Sequence, residues 1–497
     1  GTGYAAFAEA QAWAEAPDPL DLRHLRRRRD YWRFQHWATR EIVGWHADEY
    51  RRLGVDLPML ANFYPGGDVQ NWREAVKPVD AVGIDWYPRR RFGADRPGEA
   101  NPSAEFRRVL DTIRYTRAVS ALPIVPELEC GVWHGWHEHI GTLDGQQIRL
   151  VGIATLLAGA TGFNWYMLVG RDNWYYTPID ERGDARGPEF EAVAGVNRIA
   201  AEMGLGGLRR ATDVGAVFEP EHVGPDRTFE RNAVLDALHA GDVDFEMVDL
   251  AADGRAFART APRVLVYAAG DWLARASQER LAALVEEGRH LIVFAGQRPR
   301  RDDAFGPLDV LGVREPDRVL SRLGKKVEVG FGGLVGTAEG AVGVWDTAPE
   351  GAEAIVGEQA AGKQQAVENA DKWMTRYIGR RWTVGYRVRR GAGSVTVLGV
   401  EPSATVLRAA AGRLGAAPAS EAELPGVTTA VYERTDGARF LVAVNLSGAE
   451  RVCPVRLGRA ARGAVDLWDG AELAVAGERV LVRLAAWSGT VVRLEGE

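Results

Sequence analysis

Four apolar runs of strand length recur through the first two hundred residues: VDLPMLANF (55–63), VDAVGIDWYP (79–88), LPIVPEL (122–128) and GATGFNWYMLVG (159–170). They read as strands buried on both faces, and the segments between them, such as SAEFRRVLDTIRYTRAV (103–119) and GQQIRLVGIATLLA (145–158), read as helices. Repeated βα units imply a parallel sheet whose functional residues stand at the carboxyl ends of its strands. Those ends carry Asn62, Asp85, Tyr87, Glu127, Asn164 and Tyr166. Several polar groups therefore converge on one rim.

One stretch on that rim, PIVPELECGVWHGW (123–136), carries Glu127 and Glu129 out of an apolar run into a turn rich in tryptophan, glycine and histidine. An ionised carboxylate is costly to bury unless it is paired or used, so chemistry is to be sought here first.

The chain of 497 residues, 46% hydrophobic and 26% charged, is long enough for about three or four domains with sizeable cores. Its formal net charge of -7 offers no global attraction to phosphate backbones or anionic membrane surfaces, so neither nucleic acid nor a membrane is an expected partner. The densest basic run, RHLRRRRD (23–30), reads as a solvated, salt-bridged face. Two cysteines, Cys130 and Cys453, make no disulfide framework, and the expected location is cytoplasmic. No stretch reaches 18 consecutive apolar residues, and GTGYAAFAEA at the start lacks the pattern of a signal peptide.

Residues 1–205 form the first expected domain. Residues 206–320 repeat the βα alternation through TDVGAVFEP, VDFEMVDL, APRVLVYAAG and RHLIVFAG, which predicts a small doubly wound, flavodoxin-like α/β domain. No G-x-G-x-x-G follows its first strand, so its expected role is structural or the formation of a homo-oligomer. From about 321 the text changes to short β-rich runs split by Gly-rich turns, as in RWTVGYRVRRGAGSVTVLGV (381–400) and FLVAVNLSGAERVCPVRL (440–457). These predict a β-rich domain over 321–425 and a β-sandwich-like domain over 426–497.

Several motifs lose their chemistry on inspection. GEQAAGKQ (357–364) has P-loop spacing, but Gln364 stands where Ser or Thr must bind Mg²⁺, and no βαβ unit surrounds it. HGWHEHIG gathers His134, His137, Glu138 and His139, yet zinc demands fixed geometry, and histidines on an aromatic loop more often hydrogen-bond or stack. No G-x-S-x-G elbow and no H-E-x-x-H helix is present. What remains is a carboxylate rim with clustered aromatics at Trp133, Trp136, Trp165 and Trp174. Sugar chemistry uses that combination: two carboxyl groups cleave the glycosidic bond through an oxocarbenium-like transition state, while aromatic faces stack on the ring. The alternative is that these are core aromatics around a structural ion pair.

The motifs themselves favour the first reading. ELECGVWHGW resembles the nucleophile segment of glycoside hydrolase family 35, the β-galactosidases, with Glu127, Gly131 and Trp136 at its Glu, Gly and Trp positions. NWYMLVGRDN (164–173) looks like that family's eighth-strand signature, YYTPIDERG (175–183) like its Pro-Leu-Asp-Glu-x-Gly stretch, and IDWYP (84–88) like its sixth-strand Tyr-Pro. The domain order is also similar to that of family 42 β-galactosidases and of archaeal exo-β-glucosaminidases. The resemblance implies the C-terminal half of a (β/α)8 barrel, strands five to eight, with Glu127 as the nucleophile of a retaining exo-acting β-galactosidase. It also implies a terminal β-galactoside or related oligosaccharide as substrate and no metal or organic cofactor. Tyr87, Asn164, Tyr166 and Tyr175, with Trp133 and Trp165, are the expected contacts to substrate or nucleophile. Glu129 departs from the family's Tyr or Gln; two residues along a strand it shares a face with Glu127, where it would repel that carboxylate or bind an amino sugar's ammonium. The acid/base Glu of such barrels follows an Asn on the fourth strand. Counting back from Glu127 places that strand before Gly1, so the expectation is an N-terminally truncated chain that is inactive as it stands.

Overall fold

The computed structural model describes residues 22–63, 72–87, 102–135, 143–219, 232–250, 262–268, 272–295, 301–302, 304, 306–320, 326–359 and 381–496. The chain divides into two compact units. The described residues within Phe34–Thr212 and Pro418–Glu497 form the unit that holds the rim; those within Asp213–Ala251 and Ala261–Ala417 form the other.

In the rim-bearing unit the four expected strands are present: β1 (Leu60–Phe63), β2 (Ala81–Trp86), β3 (Ile124–Glu129) and, after the short β4 (Val132–Trp133), β5 (Gly162–Tyr166). They pair in parallel in the order β1-β2-β3-β5. Long helices fill the connections: α1 (Pro102–Val119) joins β2 to β3, and α2 (Gly145–Ala158) joins β4 to β5. α2 starts where the Asp144 side chain accepts from the Gln147 amide, and it stops at Gly159, whose φ of 92° lies in the left-handed region that glycine adopts freely. Nearly all of α2 is buried, as its apolar sequence requires. One side meets β3 and α3 (Gly187–Met203). Another lies on the strands Arg439–Asn445 and Ser488–Glu495 of the C-terminal region.

That region is two stacked antiparallel sheets. One has five strands, including Leu208–Arg210 from the end of the first expected domain, and the other has four. Between them lies an aliphatic core containing Leu441, Val455, Val482 and Val492. Arg149 on α2 ties the layers together, donating to the Gly489 carbonyl at 2.7 Å and stacking 3.9 Å from the Trp468 ring. Burial lowers its pKa to about 10, which still leaves it charged at neutral pH. The edge strand at 208–210 shows the sandwich drawing on residues far from 426–497.

The other unit carries a nine-stranded sheet. Five of its strands are parallel: Val214–Val217, Glu246–Val248, Val264–Tyr267, His290–Phe294 and Gly393–Leu398. Numbered along the chain they lie in the order 2-1-3-4-5, the doubly wound order of flavodoxin-like sheets. The boundary expected near 320 is not a break in this sheet. The fifth parallel strand comes from SVTVLGV, and the antiparallel strands Arg381–Arg390, Glu353–Gln359, Val327–Phe331 and Leu334–Ala338 extend the same sheet. The physical reason is legible afterwards: Gly393–Leu398 is buried at every position, as a central parallel strand must be, whereas an edge hairpin would alternate.

Cys130 and Cys453 are both buried and unbridged. Among the described residues no helix is long and apolar enough to cross a membrane.

Candidate active site

The rim is built around an irregularity in β3. Gly83 pairs with Ile124 and Asp85 with Glu127, so β3 spends three steps where β2 spends two. Against β5 the pairs Val125–Phe163 and Leu128–Trp165 again enclose one residue too many. Both shifts span Pro126, which cannot donate to a ladder and is tolerated in a central strand only at such a bulge. The bulge sets direction. In an unbroken strand Ile124 and Glu127, three apart, would face opposite sides; the inserted residue puts both on the side of Gly83 and Asp85. Glu127 thus reaches the cleft, while its neighbour Leu128 packs in register with the buried Trp86 and Trp165. Asn164, opposite the bulge, donates to the Pro126 carbonyl at 3.1 Å.

The cleft over these strand ends has a volume of about 440 Å³ and is lined by Asp85, Tyr87, Glu127, Trp133, Tyr166, Arg171, Asn173 and Trp174. The Tyr87 hydroxyl donates to Glu127 Oε2 at 2.5 Å, and Asn62 Nδ2 donates to Oε1 at 3.4 Å. Both carboxylate oxygens are therefore held. Burial first, and then the bond to Glu127, push the Tyr87 phenol well above its ordinary pKa, so it remains a proton donor. The aromatic wall is mutually braced. Tyr166 meets Trp174 edge to face at 5.0 Å, and Tyr87 lies 6.4 Å from each of them. A two-strand ladder of β4 with β6 (Trp174–Tyr175) pairs Trp133 with Trp174, and the His134 amide bonds the Asn173 carbonyl at 3.0 Å. Edge-to-face packing of this kind fixes ring planes against which an apolar sugar face can lie.

Asp85 sits beside the nucleophile candidate on the adjoining strand. Its Oδ1 is buried with no hydrogen-bond partner. Burial, opposed by Asn62 and reinforced by the charge of Glu127, raises its pKa to about 6. The sign for stability follows. The folded pKa exceeds the unfolded value, so the fold holds a proton that the unfolded chain releases, and stability is lost as pH rises from about 4 to about 6. Asp85→Asn is accordingly expected to raise the melting temperature above about pH 6 and to change it little near pH 4. A thermal scan at the two pH values checks this; destabilisation at the higher pH would contradict it.

Of the residues singled out in the sequence, the structure brings Glu127, Tyr87, Tyr166 and Trp133 to the cleft. Glu129 pairs with Tyr166, on the cleft side as two-residue spacing requires, yet it is only 2% exposed and does not line the cleft. Trp165 faces the other way, its indole N–H bonding Asn197 of α3 at 2.9 Å. Tyr175 also leaves the cleft, exposed on the far side of β6 from Trp174, and its hydroxyl donates to the Asp172 carbonyl at 3.3 Å. Asn164 supports the bulge rather than lining the cleft. Arg171 and Asn173 were given no role by sequence reasoning, although both lie in the NWYMLVGRDN stretch; Asp85 was placed on the rim but assigned no function. Trp136, His137, Glu138, His139 and Gln364 lie outside the described residues. Among the described residues no cluster of His, Cys, Asp and Glu is placed to hold a metal ion.

No family model matches the chain, and no curated protein matches it. Solved structures do. A β-galactosidase from Bacillus circulans sp. alkalophilus superposes with a TM-score of 0.67 at 17% identity, over 94% of this chain and 68% of that one. Gan42B, a GH42 β-galactosidase from G. stearothermophilus, gives 0.67 at 15%, over 97% and 70%. A β-galactosidase from the Antarctic haloarchaeon Halorubrum lacusprofundi gives 0.64 at 19%, over 97% and 70%. At these identities the likeness establishes the fold: a mixed α/β architecture with parallel α/β sheets and antiparallel β-sheets, like that of GH42 β-galactosidases.

Proposed function

We propose that the cleft is the nucleophile half of a retaining exo-β-galactosidase site, with Glu127 as the nucleophile. The observation that carries this reading is the seating of Glu127: a bulge aims it into an aromatic-walled cleft, and a tyrosine hydroxyl and an asparagine amide hold its two oxygens. In a double displacement this carboxylate attacks the anomeric carbon, the leaving oxygen departs, and water later releases the sugar. The sugar's C–H face lies against the aromatic wall of Tyr166, Trp174 and Trp133.

The four parallel strands are read as strands five to eight of a (β/α)8 barrel. The carboxylates lining the cleft among the described residues are Glu127 and Asp85, on adjoining strands. A retaining mechanism needs its proton donor on the other side of the scissile bond, about 5 to 5.5 Å from the nucleophile. In such a barrel that donor stands on the fourth strand. A dinitrophenolate leaving group needs no proton, so a dinitrophenyl β-galactoside should still glycosylate Glu127, giving one equivalent of dinitrophenolate.

Two experiments follow from this assignment. Tyr87→Phe removes a charge-directed hydrogen bond to the nucleophile and is expected to slow that glycosylation by about tenfold or more without loss of fold. A stopped-assay rate equal to that of the parent would remove Tyr87 from the mechanism. The second is the identity of the sugar: dinitrophenyl β-galactoside is expected to react faster than the β-glucosaminide, because Glu129, which opened the amino-sugar reading, is covered and does not line the cleft.

A further inference from the structure

The aromatic wall of the cleft ends in a cation. Arg171 and Trp174 exchange both backbone hydrogen bonds, at 3.4 Å to the Trp174 carbonyl and 2.9 Å to the Arg171 carbonyl, and so pair across the turn formed by Asp172 and Asn173. On its other edge Trp174 pairs with Trp133 of β4. Cross-strand partners point to the same face of a ladder, so Arg171, Trp174 and Trp133 form one row, and all three line the cleft. At about 4.5 to 5.5 Å per pair the row runs about 10 Å from one end to the other. Trp174 connects it to the chemistry: its ring lies 5.0 Å from Tyr166 and 6.4 Å from Tyr87, whose hydroxyl holds Glu127. A sugar lying on Trp174 with its anomeric carbon at Glu127 therefore has the Arg171 side chain beside it. Resting on the assignment of Glu127 above, we propose that Arg171 is a specificity-determining residue that binds an anionic group, sulfate or carboxylate, on the galactosyl unit seated against Trp174.

Among the described residues Arg171 forms no ion pair, although Asp172 follows it directly. Elsewhere an arginine with an acid so near uses it, as Arg434 does with Asp436 at 2.7 Å. The loop that carries Arg171 is anchored at both ends of its turn, by the two bonds to Trp174 and by the His134 amide on the Asn173 carbonyl at 3.0 Å. A guanidinium presents five donors in a planar fork that matches the oxygens of a carboxylate or sulfate. Charge gives the selectivity its sign. The other charged groups lining the cleft among the described residues are the carboxylates Asp85 and Glu127, which disfavour an acidic sugar unless a cation meets it. A neutral galactoside gains little from a solvated guanidinium; an acidic one gains charge-assisted hydrogen bonds.

The test is calorimetric titration of methyl β-galactoside, its 6-sulfate and methyl β-galacturonide into the intact parent chain, Arg171→Gln and Arg171→Lys. Methoxide is too poor a leaving group to be displaced, so binding alone is read. The parent should bind one or both acidic sugars about tenfold or more tighter than the neutral one, and the two arms tell sulfate from carboxylate. That preference should vanish in Arg171→Gln, survive in part in Arg171→Lys, which keeps the charge without the fork, and shrink as salt is raised to about 1 M. Arg171 is exposed and its structural bonds are backbone bonds, so neither substitution removes a buried contact. Binding of both acidic sugars no tighter than the neutral one by the parent overturns the proposal while leaving Glu127 as nucleophile. So does a preference that persists in Arg171→Gln, as it would if Arg171 only balanced the carboxylates of the cleft. The same sugars as dinitrophenyl glycosides report on the nucleophile separately: preferential binding of an acidic sugar through Arg171 without release of dinitrophenolate upholds the anion site and overturns the assignment of Glu127.

Discussion

Glu127→Gln is expected to slow the burst of dinitrophenolate from a dinitrophenyl β-galactoside by on the order of a thousandfold or more, the scale of loss when a covalent nucleophile is removed. The substitution is nearly isosteric. The Tyr87 hydroxyl can still donate to the side-chain oxygen, and the Pro126 bulge does not depend on the charge, so the melting temperature should stay close to that of the parent. This separates an enzyme from a carbohydrate-binding protein with the same aromatic cleft. A binding protein would bind galactosides, release no dinitrophenolate and be indifferent to the missing charge. A burst that persists in Glu127→Gln would take the nucleophile away from this residue.

The second large effect lies one strand away from the chemistry. A Cβ at Gly83 would stand 2.5 Å from both Cγ and Cδ of Pro126 and 2.9 Å from the Ile124 carbonyl oxygen. Pro126 is a closed ring and Ile124 contributes backbone, so neither can swing aside as a flexible side-chain end would. Gly83→Ala must therefore shift the bulge itself, at a cost of about 2 to 3 kcal/mol, and should lower the melting temperature by about 5 °C or more. The shift is transmitted to the next residue. Glu127 should lose its alignment with the Tyr87 hydroxyl and with the substrate, so glycosylation should fall by about a hundredfold. Unchanged stability and rate in Gly83→Ala would show that the bulge is not what aims Glu127.

Those two residues also mark how far the sequence could be read. The strands and helices of the rim-bearing unit were legible because each is a continuous apolar or amphipathic run, and βα repetition then dictated a parallel sheet. The convergence of Tyr87, Glu127 and Tyr166 followed from their positions at strand ends. The direction of each side chain did not follow so simply. Period-two alternation put Glu129 beside Glu127 on the cleft side, and register agrees, but cover over Glu129 is a tertiary fact that no local pattern carries. The bulge at Pro126 exists only in relation to β2 and β5, so its parity shift was invisible; a proline inside a strand-like run was the available sign. Trp165 was counted with the sugar-facing aromatics because clustering in sequence does not distinguish the two faces of a strand, although its position next to Tyr166 did. In the other unit, the strand at 393–398 joins His290–Phe294 across about a hundred residues of intervening chain, and a boundary drawn on a change of composition could not anticipate that pairing.

The most direct test of the assignment of Glu127 is peptide mapping after exposure of the intact chain to 2,4-dinitrophenyl 2-deoxy-2-fluoro-β-galactoside. The fluorine slows the second displacement, so the ester formed between the anomeric carbon and the attacking carboxylate accumulates as dinitrophenolate leaves. The account predicts one added fluorogalactosyl group per chain, on the peptide containing PIVPELECGVW, fragmenting to Glu127 and absent in Glu127→Gln. Labelling at Asp85 or Glu129, or a chain that remains unlabelled while folded, would contradict it.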